Sequence, residues 1–264
     1  MQREQTHADL LEQQRRHFNS IAKRYHDARQ NRNLQRLKDL IWGSALTCLQ
    51  HMDGRPLKVL EAMCGFGEGH QIATTLSPEI EYHGFDYSDE VVAAVNETHP
   101  GWDVWQADVT RVELEANSYD VVIVIGGLHH VPYHAQESVV RLTSALRPGG
   151  VFISFEPTHG NPLSGKVREF IYKRNSLFDE QTERAFGVDE LCGLFESAGL
   201  ELRDLCFPGL LAYVLFYNPD AFPVLNRGGP WLVNTAFAMD RLLYRTAVGR
   251  WLSFATLSIW ERPD

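Results

Sequence analysis

Apolar positions in the first fifty residues recur at helical spacing. Leu11, Phe18 and Tyr25 stand seven apart and are joined by Leu10, Ile21 and Ala22, which predicts an amphipathic helix over 8–28. Leu34, Leu37, Leu40, Ile41, Ala45 and Cys48 predict a second helix over 33–51, closed off by Gly54 and Pro56. From residue 57 the period changes. Short apolar runs at 57–62 (LKVLEA), 81–86 (EYHGFD), 103–108 (DVWQAD), 119–125 (YDVVIVI) and 150–156 (GVFISFE) are separated by helical stretches at 68–76, 89–98 and 135–146. That alternation predicts βαβ units with right-handed crossovers and a parallel sheet. The unbroken VVIVI run suits a central strand covered on both faces.

Beyond residue 156 the pattern predicts a polar helix over 163–185, a helix over 187–198, and strands at 200–207 (LELRDLCF) and 253–261 (SFATLSIWE). Between these strands lies an apolar, aromatic segment, 208–250, broken by Pro208, Pro219, Pro223 and the Gly228-Gly229-Pro230 run. A helix over 230–247 would align Leu232, Ala236, Met239 and Leu243.

Composition narrows the classes. A chain of 264 residues with 44% hydrophobic and 22% charged side chains is globular, neither disordered nor fibrous. Its net charge of −9 opposes general nucleic-acid binding, which needs cations for phosphate. The charge is uneven: residues 1–40 carry nine basic and five acidic side chains, leaving −13 for the remainder. A basic arm on an acidic body is either a solvated face or a cover for an anionic ligand or for the body itself. Cys48, Cys64, Cys192 and Cys206 lie far apart without a C-x-x-C pair, which argues against zinc and disulfides and suits a reducing cytoplasm. The polar start lacks a signal-peptide core, and no apolar run reaches the roughly 18 residues of a membrane span. A soluble, cytoplasmic protein is expected.

The chemistry begins at residues 59–69, VLEAMCGFGEG, which come after a predicted strand and open a helix. Gly65 and Gly67 permit a tight turn and close approach of a ligand, and the amides just beyond can hold negative charge. A dinucleotide fingerprint would place a third glycine at position 70, which is His70, and Glu61 at the strand end repels a pyrophosphate but suits a cationic ligand. A sulfonium amino acid with its ammonium group fits better than a nicotinamide dinucleotide. Asp86, at the next strand end, stands where a carboxylate can accept from both ribose hydroxyls. Asp108 ends the third strand either as a ligand or as a turn residue.

With Gly126-Gly127 after the fourth strand, His129-His130 beyond it and Leu146-Arg147-Pro148-Gly149-Gly150 downstream, the chain resembles the class I S-adenosylmethionine-dependent methyltransferases of small-molecule type. The likeness is strongest over 57–160. Met63 departs from it, standing where the family commonly has the first glycine of the loop. The resemblance implies a Rossmann-like, seven-stranded, mostly parallel sheet whose last strand is antiparallel, with N-terminal helices and a helical insertion between the last two strands. One domain is expected: a helical lid (1–52), a cofactor-binding core (53–160) and substrate-side helices, insertion and final strands (161–264). It further implies S-adenosyl-L-methionine as cofactor, with Glu61 near the ammonium, Ala62, Cys64, Gly65 and Gly67 lining it, and Asp86 and Tyr87 at the ribose. Asp108 and Val109 would meet the adenine, Gly126 and Gly127 the methionine portion, and Tyr25 and Arg29 would fold over the whole.

Methyl transfer from a sulfonium is an in-line displacement dominated by alignment, and a hydroxyl acceptor gains from a base. The candidate catalytic residues are His129, His130 and Glu156, with His134 and Tyr133 nearby. The catechol-type cluster of magnesium ligands and the Pro-Pro-Tyr motif of nucleic-acid amino-methyltransferases are both missing, so neither metal nor nucleic acid is expected. The expected acceptor is a small, apolar or aromatic metabolite. The alternatives are a cofactor-binding member with altered chemistry and a protein-directed enzyme working in a complex. Aromatic residues of 208–250 would cover the acceptor or, equally, form a homo-oligomer interface.

Overall fold

The computed structural model describes residues 12–13, 15–16, 19–20, 26–27, 29–52, 55–161, 165–166, 184–219 and 222–264. The helices expected over 8–28 and 163–185 lie largely outside these residues. Helix α1 (Arg32–Ala45) opens on Asn31, whose side chain accepts from the amides of Asn33 and Leu34. Its stripe of Leu34, Leu37, Ile41 and Ala45 is buried, and a 3-10 turn (Leu46–Met52) takes the place of the helix end expected at 51.

The alternating region then runs β1 (Leu57–Ala62), α2 (Glu68–Leu76), β2 (Ile80–Asp86), α3 (Asp89–Thr98), β3 (Asp103–Gln106), β4 (Tyr119–Ile125), α4 (Ala135–Ala145) and β5 (Leu146–His159). The chain continues through β6 (Phe186–Gly187), α5 (Val188–Ser197), β7 (Glu201–Cys206), α6 (Leu211–Phe216), α7 (Pro230–Arg241), α8 (Ala247–Leu252) and β8 (Ala255–Glu261). The strand order is β3-β2-β1-β4-β5-β8-β7, seven strands in one path, with the two-residue β6 paired to the far end of β5. The neighbours from β3 to β5 are parallel, whereas β8 runs antiparallel to both β5 and β7.

Because strand side chains alternate, the central strands feed two cores. Val59, Val121, Ile123 and Ile153 face one layer with α1, α2, α3, α6 and α7. Leu60, Val122, Val124 and Phe152 face the other with α4 and α5. Chain order reverses between β1 and β4, so their carboxyl ends open a crevice where open α/β sheets bind ligands.

The insertion departs from expectation at its second helix. Instead of running to 247, α7 stops at Arg241, and a fresh helix starts at Thr246, whose hydroxyl accepts from the Gly249 amide at 3.0 Å. Tyr244 is the cause: it is buried against Phe237, and its carbonyl accepts from the Phe207 amide at 2.8 Å, which draws the chain inward and ends the helix. On its inner side the insertion packs on α1.

Candidate functional site

The loop after β1 turns on three left-handed residues, Met63 (φ 55°), Gly65 (φ 50°) and Gly67 (φ 80°). Met63 thus takes a backbone that favours glycine, at a cost of about 1–2 kcal/mol for a residue with a Cβ. Gly127 accommodates it from across the crevice, since a Cβ there would lie 2.8 Å from the Met63 sulfur. Two of the loop's three glycines are needed for room in the same way. A Cβ on Gly67 would overlap the Trp102 ring, and one on Gly69 would come within 2.6 Å of the Glu61 carboxyl carbon. Gly69, which the loop spacing alone leaves without a role, is what lets the acid sit beneath α2.

Glu61 is buried, accepts from the Tyr82 hydroxyl and receives the Gly69 amide. Burial pushes its carboxyl up to about 8; the hydrogen bonds of Tyr82 and Gly69 oppose this, and the charges of Glu68 and Asp86 reinforce it. Without a cationic ligand the acid is thus mostly protonated at neutral pH. A group raised this way contributes stability in full below its unfolded value near 4.5 and loses it as pH climbs through about 8. The ligand-free protein should therefore lose melting temperature between pH 5 and 8, and Glu61→Gln should flatten that slope. A slope unchanged in the variant would show that Glu61 is not its source.

Asp86 is half-buried at the end of β2. Its Oδ2 accepts from the Gly65 amide and its Oδ1 from the Ser88 amide, both at 2.9 Å. Burial raises its carboxyl above the ordinary value, against the pull of Ser88, Gly65 and the charge of His130. The helix α3 cap is Ser88, which accepts from the Val91 amide, so capping does not account for Asp86. Ala62 is buried in the second core, and buried Cys64 ties the loop to β2 through its amide on the Phe85 carbonyl at 2.9 Å.

Asp108 folds into its own turn: Oδ1 accepts from the Thr110 amide (2.8 Å) and hydroxyl (2.7 Å), while Oδ2 lies 3.9 Å from Arg111. Val109 beside it is buried, and the Tyr87 hydroxyl is raised by burial and by the charge of Asp108.

Opposite the glycine loop, β4 is followed by Gly126 (φ 60°), whose amide donates to the Phe155 carbonyl at 2.7 Å. The carboxylate of Glu156 organises the turn beyond this glycine. Oε1 accepts from the amides of Gly127 and Leu128, each at 2.8 Å, and Oε2 lies 3.0 Å from Nδ1 of His129 and 3.4 Å from its amide. Glu156 is buried, and burial moves its carboxyl up to about 7 against those amides and the His130 charge. The His129 and His130 rings pack 3.9 Å apart. The His130 charge acts on both Asp86 and Glu156. Tyr133 is 78% exposed and His134 pairs with Glu137, so both lie apart from this cluster.

The described N-terminal residues lie over the crevice. Asn19 meets Ser88 and Asp89, Arg15 bonds Asp89 at 2.6 Å, and the His26 ring rests 4.4 Å from Phe66 of the glycine loop. Arg29 donates to the Tyr217 carbonyl at 3.0 Å and stands 6.0 Å over its ring, which ties it to the insertion. Tyr25 lies outside the described residues. Tyr213 and Tyr217, among the insertion aromatics expected to cover an acceptor, pack in a cluster that sequence reasoning did not assemble: Trp42 (5.7 Å), Tyr213 (6.3 Å) and Tyr217 (5.5 Å) each meet buried Phe155 edge-on. Tyr213 and Tyr217 stack at 4.5 Å, and buried Lys38 pairs with Glu68 at 2.5 Å below Tyr217.

Comparison with known proteins agrees with this geometry. The model of a methyltransferase domain family matches residues 59–150. Demethylmenaquinone methyltransferase of Bacillus cytotoxicus is 27% identical over 173 residues, spanning 57% of this chain and 73% of that one. Phthiotriol/phenolphthiotriol dimycocerosates methyltransferase of Mycobacterium leprae is 27% identical over 164 residues, 60% of this chain and 58% of that one. Among solved structures, an S-adenosylmethionine-dependent methyltransferase from Mesorhizobium loti superposes with a TM-score of 0.53 at 17% identity, over 84% of this chain and 98% of that one, a likeness of fold. The cradle fits the cofactor class: glycines without Cβ atoms, a buried acid beneath them suited to a cation, and an aspartate oriented by two amides. The matched domain, these relatives and the sheet order support a class I methyltransferase dependent on S-adenosyl-L-methionine.

Proposed function

We propose that this enzyme methylates an oxygen, nitrogen or carbon atom of a small, lipophilic or aromatic acceptor. The observation that carries the reading is the aromatic cluster of Trp42, Phe155, Tyr213 and Tyr217, in which the partly buried Tyr213 and Tyr217 would offer ring faces and edges to a flat or greasy ligand. Two relatives named for a quinone and a lipid acceptor agree with that class. When bound, the cofactor supplies an electrophilic methyl group on a sulfonium. Glu61 would face its ammonium, Asp86 and Tyr87 its ribose, Asp108 and Val109 its adenine edge, and the backbone of Ala62, Cys64, Gly65, Gly67, Gly126 and Gly127 would line it.

His130, whose ring packs on His129 and whose charge reaches both Asp86 and Glu156, would take the acceptor's proton when the acceptor is a hydroxyl. Glu156 and His129 would hold that loop in place, a positioning role consistent with their mutual hydrogen bond. The N-terminal segment 1–52 would serve as a lid, consistent with the contacts of Asn19, His26 and Arg29 to Ser88, Phe66 and Tyr217.

The test is incubation with a labelled methyl donor, lipophilic phenols or quinols, and a fractionated extract. Label in small molecules supports the proposal. Label in a protein band would favour a protein-directed enzyme, and cofactor binding with no transfer would favour altered chemistry. Tyr217→Ala should raise KM for the acceptor about tenfold, from the loss of one stacked aromatic contact, while leaving S-adenosylhomocysteine affinity unchanged.

A further inference from the structure

Large apolar side chains left in the open concentrate on one segment. Of thirteen such residues among those described, ten fall between 211 and 252. Helix α7 shows why. Its inner face buries Val233, Ala236 and Phe237, yet its outer side carries Trp231 (68% exposed), Met239 (58%) and, just past its end, Leu242 (79%). These outer positions fall on one stripe at helical spacing, where a water-facing helix would carry charge. Helix α8, joined to α7 by a short turn, adds Val248 and Trp251, each 54% exposed.

The charge of this segment differs from that of the rest of the chain. It holds four arginines and two aspartates within a protein of net charge −9. Asp240 is buried, accepting from the amides of Leu211 (3.2 Å) and Ala212 (2.6 Å), and Asp220 lies outside the described residues. Arg245 and Arg250 pair with Asp204 and Asp189, outside the segment. Arg227 and Arg241 are exposed and have no carboxylate partner among the described residues. Apolar side chains, two tryptophans and arginines with no exposed carboxylate among the described residues complement an anionic lipid surface. Among the described residues no helix is long and apolar enough to cross a membrane, so the association would be interfacial.

The same segment reaches the aromatic cluster around Phe155. Helix α6 exposes Leu211 and Val214 on its outer side, while Tyr213 and, just past its end, Tyr217 close on Phe155. We propose that α6–α8 dock the protein on the surface of a phospholipid bilayer containing anionic lipid, with Trp231 and Trp251 at headgroup level. A lipophilic acceptor would pass from that surface to Phe155, a clause that rests on the acceptor class proposed above.

The test uses the full chain with neither acceptor nor methyl donor, floated with vesicles of phosphatidylcholine alone or mixed equally with phosphatidylglycerol. The chain should float with the mixed vesicles, bind the neutral ones about tenfold less, and show a blue shift of tryptophan emission. Combined Trp231→Ser and Leu242→Gln should cut the bound fraction about tenfold, with circular dichroism and S-adenosylhomocysteine affinity as in the wild type. Failure to float, or unchanged flotation of the double variant, overturns the proposal. A concentration-dependent dimer that this variant abolishes, without vesicle binding, assigns the face to a second copy and overturns it too. Flotation involves no methyl transfer, so its failure leaves the proposed acceptor class standing, and a missing transfer leaves the docking surface standing.

Discussion

Asp86→Ala should raise the dissociation constant for S-adenosylhomocysteine at least about a hundredfold, read by titration calorimetry. Two hydrogen bonds from ribose hydroxyls to a charged acceptor are together worth about 3–6 kcal/mol, and about 1.4 kcal/mol corresponds to tenfold in affinity. The geometry favours the upper part of that range. The amides of Gly65 and Ser88 already fix the carboxylate, so little side-chain entropy is lost on binding. Those amides complicate the alanine variant, because the Gly65 amide loses its acceptor and the glycine loop can shift. Asp86→Asn separates the two effects. It keeps one carbonyl oxygen for the Gly65 amide and sets a donor against the Ser88 amide, so it should bind about tenfold more weakly and melt between the alanine variant and the wild type. Wild-type affinity in a folded alanine variant would remove Asp86 from the proposed cofactor set.

Asp86 was legible in the sequence because everything that marks it is local. A strand ends, an acid stands at its tip, and a Ser-Asp helix start comes next. The same holds for Glu61, Gly65 and Gly67, and for β1 and β4, whose bounds match the expected 57–62 and 119–125. Strong periodicity with glycine punctuation leaves few alternatives. Right-handed crossovers then make the reversal between β1 and β4, and with it the position of the crevice, a consequence of the alternation.

What could not be read is what tertiary packing assembles. Trp42, Phe155 and Tyr213 come from α1, β5 and the insertion, and nothing near any of them in the chain refers to the others. The role of Gly69 appears only once the Glu61 carboxyl is seen beneath it, and the break between α7 and α8 only once Tyr244 is found in the core. Met63 carries the converse lesson. A departure from the expected loop turns out to keep the left-handed backbone, with Gly127 supplying the room for the extra side chain.

Glu156→Ala is expected to destabilise the fold by about 3 kcal/mol, measured as a lower urea midpoint, and to reduce kcat about a hundredfold. The variant strips the acceptor from the amides of Gly127 and Leu128 at 2.8 Å and from Nδ1 of His129 at 3.0 Å, all in a buried setting. An orphaned buried donor costs about 1–3 kcal/mol, and the loop loses the anchor that holds both histidines. Stability alone would not reveal whether the charge matters, so Glu156→Gln is the sharper probe. With its carboxyl near 7, Glu156 is converting from acid to carboxylate across neutral pH. The carboxylate is the stronger acceptor for the amides and for His129, so kcat/KM should rise along a limb near pH 7 as the charge forms. The same raised value means that the ligand-free fold gains most from the acid form below about 4.5 and loses that gain as pH passes about 7. Activity should therefore climb where ligand-free stability declines. In Glu156→Gln both trends attributable to this group should vanish together, and a wild-type pH profile in that variant would reduce Glu156 to packing.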